Sequence, residues 1–296
     1  MATENAVEPA GAPAPEEATQ SRWRTLLSRS PLEASELGLV GALLAIVVFY
    51  WIFAPNFMTT FNLLNVLQQV TIVAVAAAGG TMVILVAGID LSVGSAVALT
   101  GVSAALFLEN RPEYGVGAAL VAILLAIAVG IVAGLLNGVI ITAFKVPDFI
   151  GTLATFSILR GVALLITRSY PINIPRSSTN MAPYEWLGVG KVSVFGLDIP
   201  FPIFIMAGVY LLGYIILHRL KVGRRIYALG GNATAARLSG VRVGAVRVFV
   251  YAFAGFTAAI TGIIVSSRLA SGQPAGSQGF ELDVIAAVVI GGTSLA

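Results

Sequence analysis

Residues 219–247 read RLKVGRRIYALGGNATAARLSGVRVGAVR, and this stretch decides how the rest of the chain is organised. It carries seven basic residues: Arg219, Lys221, Arg224, Arg225, Arg237, Arg242 and Arg247. No Asp or Glu occurs between Asp198 and Glu281. Apolar runs flank it, Phe201–Leu217 before and Val248–Ser267 after, each in the range of roughly 17–25 residues that a membrane helix needs. A basic, acid-free segment between two such runs marks the cytoplasmic side of a polytopic membrane protein. Within it, Gly230-Gly231 precede Asn232, which can cap a helix, and Ser239-Gly240 can stop one. Two readings stand. The stretch is a basic loop that only sets orientation, or its short smooth helix is a docking surface for a cytoplasmic partner.

Composition supports the membrane reading. Of 296 residues 57% are hydrophobic and 10% charged, whereas soluble domains carry roughly 25% charged residues. The pI near 9.3 does not point to nucleic acid, because the cations cluster between apolar runs and do not form a phosphate-binding face. The chain contains no cysteine, so thiol chemistry and disulfides are excluded. His218 is the only histidine and falls at a helix end, so no metal site is expected. GxxxxGK[ST], GxSxG and HExxH are all absent, which leaves no catalytic residue to nominate and no ATP site of the P-loop type.

Residues 1–30 open with an Ala-, Pro- and Glu-rich stretch and are expected to be a disordered cytoplasmic tail. Arg22, Arg24 and Arg29 precede the run Leu37–Ala54, which places the N-terminus inside and makes that run a first membrane helix. Leu63–Leu108 carries one charge, Asp90, and has the length of two helices broken near Gly88–Ser92. A long run, Val116–Phe144, follows, then Phe149–Thr167 with Arg160 inside it. The polar segment 168–200, with Tyr170, Tyr184 and Trp186, reads as an external loop carrying interfacial aromatics. The expected fold is an all-α, polytopic transmembrane bundle of about eight spans, some broken or re-entrant. Starting from an inside N-terminus, parity returns the segment 219–247 to the cytoplasm, as the charge rule requires.

Asp90 is the one acid deep in an apolar region, and such groups mark a pathway or a polar junction. In GIDLSVGS it sits at a helix break where Asp90 or Ser92 could accept from freed backbone amides. Irregular backbone at membrane depth belongs beside a cavity or buried in protein. Gly88, Asp90, Ser92, Gly94 and Ser95 are therefore candidates for a translocation path, with a structural cap, substrate contact and proton relay all open. Gly130, Gly134 and Gly138 share one helical face, suited to close packing within the chain or at a dimer seam. Asn137 beside them reads as interhelical glue. Arg160 either snorkels or meets an intramembrane acid. Glu281 and Asp283 suit the start of a last helix.

The stretches GTMVILVAGIDLSVGS, VPDFIGTLATFSILRG, GRRIYALGGNATAARLSGV and YAFAGFTAAITGIIVSSRLASGQPAGSQGFELDVIAAVVIGGTSLA resemble the membrane permease of bacterial monosaccharide importers of the ATP-binding-cassette class. This is the ribose/xylose/arabinose group. The resemblance covers most of the chain from about Asn62 onward. It implies a permease domain over 31–296 in the bacterial inner membrane, forming a homodimeric pore with no catalysis of its own. It also implies a cytoplasmic ATPase that holds ATP and Mg, and a periplasmic sugar-binding protein. This chain itself is expected to bind no cofactor. Gly231, Asn232, Ala235, Ala236, Arg237, Ser239 and Gly240 would form the helix that couples to the ATPase. Ala233 stands where many relatives carry an acid, which removes a first-turn charge. Relatives continue beyond GGTSLA, so the chain is expected to be truncated at its C-terminus. A permease for branched-chain amino acids, or an ion-coupled carrier using Asp90, would share the architecture.

Overall fold

A computed structural model describes residues 34–111, 114–176 and 182–293, and the expected tail over residues 1–30 lies outside these described residues. The described helices are Ala34–Phe53 (α1), Thr60–Leu85 (α2), Val93–Leu108 (α3), Val116–Phe144 (α4), Asp148–Ile166 (α5) and Trp186–Val189 (α6). They continue with Phe201–Tyr214 (α7), Lys221–Gly231 (α8), Ala233–Leu238 (α9), Val243–Leu269 (α10) and Phe280–Ile290 (α11). A π-turn, Ile215–Arg219, extends α7. Short strands Ile172–Asn173 (β1) and Ser271–Gly272 (β4) pair with each other, as do Lys191–Val194 (β2) and Leu197–Pro200 (β3).

The molecule is a polytopic helical membrane protein. Against an expectation of about eight spans, some broken or re-entrant, five helices are long and apolar enough to cross a membrane among the described residues: α2, α4, α5, α7 with its π-turn, and α10. Val40–Phe53 and α3 are shorter apolar helices. The described residues divide into two compact units, one ending at residue 63 and the other beginning at residue 64. In the first, α1 ends in a turn at Ala54–Thr59, where Asn56 takes a positive φ and Phe57 stacks on Tyr50.

In the second unit α10 is the most buried of the long helices and α7 the least. It packs antiparallel on α4: Gly130 meets Gly255 and Ala259, Gly134 meets Tyr251, and Gly138 meets Val248. The GxxxGxxxG face of α4 thus packs within the chain. α3 lies along the same central helix, with Thr100 and Gly101 on Gly262. Small residues on all three let backbones approach closely, which is how membrane helices gain van der Waals contact without a hydrophobic drive.

Contacts sort the connections into two ends. Gly230 lies on Leu85, Thr142 on Gly244 and Gly88 on Asp148, so the α2–α3, α4–α5 and α7–α10 connections share one end. β1 pairs with β4, and Gly188 lies on Arg268, at the other. There the 168–200 segment departs from the expected loop. It contains α6 and the β2–β3 hairpin, and Tyr184 is no interfacial aromatic but fully buried, its hydroxyl 2.8 Å from Ser266 Oγ. Burial raises the Tyr184 pKa above the usual phenol value, as removal from water disfavours a phenolate. Tyr170 is exposed, as an interfacial residue would be.

Candidate functional site

The site is built on the break between α2 and α3. α2 unwinds through bonds from the Val86 and Gly88 amides to the Val83 carbonyl and from Ala87 to Ile84, with Ala87 at φ +56°. α3 starts at Val93. Asp90, 7% exposed, folds back on the chain: its Oδ1 accepts from the Ser92 amide at 2.8 Å and from Ser92 Oγ at 2.6 Å. Asn137 on α4 donates to Ser92 Oγ at 2.7 Å. The carboxylate thereby satisfies a backbone donor freed by the break, and Asn137 ties the break to the glycine face of α4. Thr152 on α5 holds the other side, its Oγ1 accepting from the Leu91 amide and lying 3.2 Å from the Ile89 carbonyl.

A second network braces the same segment from α5 and α10. Asp148 Oδ1 accepts from Arg247 Nη1 at 2.9 Å, and its Oδ2 accepts from the Tyr251 hydroxyl at 2.9 Å. The fully buried Tyr251 also reaches the Ile89 carbonyl at 3.4 Å. Gly88 is needed here. A Cβ at that position would sit 2.6 Å from Asp148 Oδ2 and 2.9 Å from the Tyr251 hydroxyl. Arg247 belongs to the second turn of α10, not to a loop, which shortens the polar stretch expected over 219–247. Thr152, Asp148, Arg247 and Tyr251 escape a reading of the sequence, since each resembles an ordinary turn, span or loop residue. The faint signal is that Asp148 is the only acid between Tyr114 and Glu185.

The remaining path candidates are packed shut. Ser95 is fully buried, its hydroxyl on the Ser92 carbonyl, and a Cβ on Gly94 would overlap the Ser277 carbonyl and lie 2.5 Å from Glu281 Oε2. Arg160, 8% exposed, does not snorkel, and among the described residues it forms no salt bridge. Its Nη1 donates to the Pro274 and Gly276 carbonyls, at 2.7 and 2.6 Å. It thus fastens the link between β4 and α11. Glu281, in the first turn of α11, has a buried Oε2 without a hydrogen-bond partner.

At the end where the break lies, α8 and α9 form the surface. α8 is amphipathic: Gly223, Ile226 and Leu229 are buried while Lys221, Arg224, Arg225 and Tyr227 are exposed, the spacing of a helix resting on a core. Its Gly230 lies against the Leu85 carbonyl, where a Cβ would collide with backbone. Gly231, expected in the coupling helix, is the last residue of α8 and precedes the cap of α9. Asn232 then caps α9, its Oδ1 accepting from the Ala235 amide at 2.9 Å. Gly240 at φ +83° ends the motif, with Val241 bonded back to the Ala236 carbonyl, a left-handed stop that favours glycine. Asn232, Ala235, Arg237, Ser239 and Gly240 are exposed. Ala236 is 5% exposed and turned inward, whereas Leu238, absent from the sequence candidates, is 84% exposed.

A protein-family model described as "Branched-chain amino acid transport system / permease component" matches residues 62–296. The ribose import permease protein RbsC of Escherichia coli (strain K12) is 44% identical over 255 residues, covering 86% of this chain and 76% of the relative. The ribose import permease protein RbsC of Bacillus subtilis (strain 168) is 42% identical over 260 residues, covering 88% and 77%. The L-arabinose transport system permease protein AraH of Escherichia coli (strain K12) is 36% identical over 244 residues, covering 82% and 70%. No solved structure matches the chain.

Proposed function

Because the chain belongs to the family of branched-chain amino acid transport system permease components, we propose that it is the membrane-spanning subunit of an ATP-driven importer for a monosaccharide, a pentose or hexose. It resides in the bacterial inner membrane with its N-terminus and the α8–α9 surface in the cytoplasm, and it forms a homodimeric pore. The chain carries out no covalent chemistry. A separate ATPase holds ATP and Mg, and a periplasmic sugar-binding protein delivers the sugar to the opposite end.

The observation that supports coupling is the seat of Gly230 on the Leu85 carbonyl. It joins α8, which runs directly into the exposed, capped α9, to Leu85, the last residue of α2 before the break at Gly88–Ser92. A pull on α9 from the ATPase moves α8, and α8 bears directly on the segment that Asp90, Thr152, Asp148 and Tyr251 hold closed. ATP binding in the partner then shifts the balance between inward- and outward-facing states by its unequal interaction with the two. Asp90, engaged with Ser92, acts as a structural bracket and not as an ion site. The choice of sugar over amino acid rests on the ribose and arabinose permeases among the relatives.

Reconstitution into vesicles with the ATPase and the binding protein tests this reading. Uptake of a labelled pentose or hexose is expected, abolished by vanadate and insensitive to a protonophore. Uptake of leucine with no sugar uptake would assign the chain to amino acids. Uptake stopped by a protonophore and untouched by vanadate would assign it to ion-coupled carriers.

A further inference from the structure

An open cleft of about 620 Å³ lies between the last turn of α4, α9 and the first turns of α10. Lys145, Arg237, Arg242 and Arg247 line it together with Thr142 and Thr234, and no carboxylate is among its lining residues. Among the described residues, Lys145, Arg237 and Arg242 have no acid within salt-bridge distance, and Arg247 has only Asp148. Arg247 also carries a buried Nε with no hydrogen-bond partner. Four converging cations in a cleft with one compensating acid repel one another unless an anion enters.

The surroundings identify the kind of anion. The cleft sits where α4 ends and α10 begins, at the level where two membrane-spanning helices reach the surface. Leading away from it along α4 is an exposed apolar strip of Val132, Leu135 and Val139. Val139 and Leu135 precede Thr142 by three and seven residues, so they share its helical face. A free phosphate would use the cations and leave this strip without a role. A phospholipid uses both. We propose that this cleft is a binding site for an anionic phospholipid, whose headgroup phosphate lies among Lys145, Arg237, Arg242 and Arg247 and whose acyl chain lies along α4. The site borders α9, so the lipid steadies the surface on which a cytoplasmic partner acts, and its existence does not depend on which solute is carried.

Native mass spectrometry on the purified full chain tests this, with phosphatidylglycerol and phosphatidylcholine offered in equal amounts. The wild-type chain is expected to retain phosphatidylglycerol preferentially. Lys145→Ala/Arg242→Ala is expected to lower that retention on the order of tenfold or more, since each basic residue near an anionic headgroup adds substantially to binding. Arg224→Ala/Arg225→Ala removes the same charge from α8 outside the cleft and is expected to leave retention unchanged. If the first double variant gives little folded protein, Arg242→Gln gives the same readout with a smaller loss, and Arg242→Lys should restore it. Equal losses from both double variants, or no preference in the wild type, would overturn the site in favour of diffuse surface charge. Competition by inorganic phosphate at the concentration of the lipid would overturn the lipid assignment in favour of a free-anion site. Loss of ATPase capture by Lys145→Ala/Arg242→Ala, with no lipid preference in the wild type, would make the cleft a protein interface.

Discussion

Gly134→Leu is expected to abolish recovery of folded protein from the membrane. Gly134 faces α10, and a Cβ there would overlap the Tyr251 carbonyl oxygen and lie 2.9 Å from its carbon and 3.0 Å from Ala252 Cα. These are backbone atoms and cannot rotate away. Relief requires α4 and α10 to separate, which would also lift Gly138 from Val248 and Gly130 from Ala259, contacts at 2.6 Å for an added Cβ. Overpacking a tight core costs roughly 1–3 kcal/mol even where side chains can adjust. At a backbone seam the cost is expected to exceed ~3 kcal/mol, a large part of a protein's total stability. Gly161→Leu on α5 is the control, because nothing lies within 4 Å of its added Cβ, and it should change stability by less than ~0.5 kcal/mol. Thermal unfolding and monodispersity in detergent read both. A Gly134→Leu protein that melts with the wild type would contradict the α4–α10 packing.

Asp148→Ala is expected to be the most damaging single change at the break. It removes the acceptor of both Arg247 and Tyr251, and with it the brace on Ile89 from α10. The Asp148 and Arg247 side chains are 12% and 28% exposed. Leaving one partner of a buried pair behind costs roughly 3–5 kcal/mol, and the partial exposure of Arg247 lowers this to about 2 kcal/mol. Arg247→Ala should cost less, because Asp148 keeps the Tyr251 hydroxyl. The double variant Asp148→Ala/Arg247→Ala should fall short of the sum of the two losses by about 1 kcal/mol or more, as contacting residues do. Additive losses would show that the two residues act independently.

The membrane class and most spans were legible in the sequence because they follow from run length and from where cations interrupt apolar residues. The break at Gly88–Ser92 was legible for a related reason: one acid in 46 residues has to be accounted for. Asn232 as a helix cap was legible because capping is local, three residues from donor to acceptor. The partners of the break were not. Asp148 and Arg247 are 99 residues apart and Asn137 lies 45 from Ser92, and nothing in the local pattern of either residue points to the other. Tyr184 was misjudged because an aromatic in a polar, proline-rich segment carries the composition of an interface, while its burial depends on Ser266, 82 residues away. The inward turn of Ala236 and outward turn of Leu238 depend on how a six-residue helix is docked, and a helix that short gives too little periodicity to orient.

The chain has no cysteine of its own, so single thiols report directly on the central claim that α9 couples to an ATPase. Leu238→Cys places a thiol on the exposed face of α9, and Ala236→Cys places one on its buried face as an internal control. Crosslinking in native membranes is expected to give an adduct of Leu238→Cys with an ATPase-sized partner. The yield should change when ATP and vanadate are added, and Ala236→Cys should give little or none. A Leu238→Cys thiol that is freely labelled from the cytoplasmic side, yet forms no nucleotide-dependent adduct with any partner, would contradict the coupling role of α9.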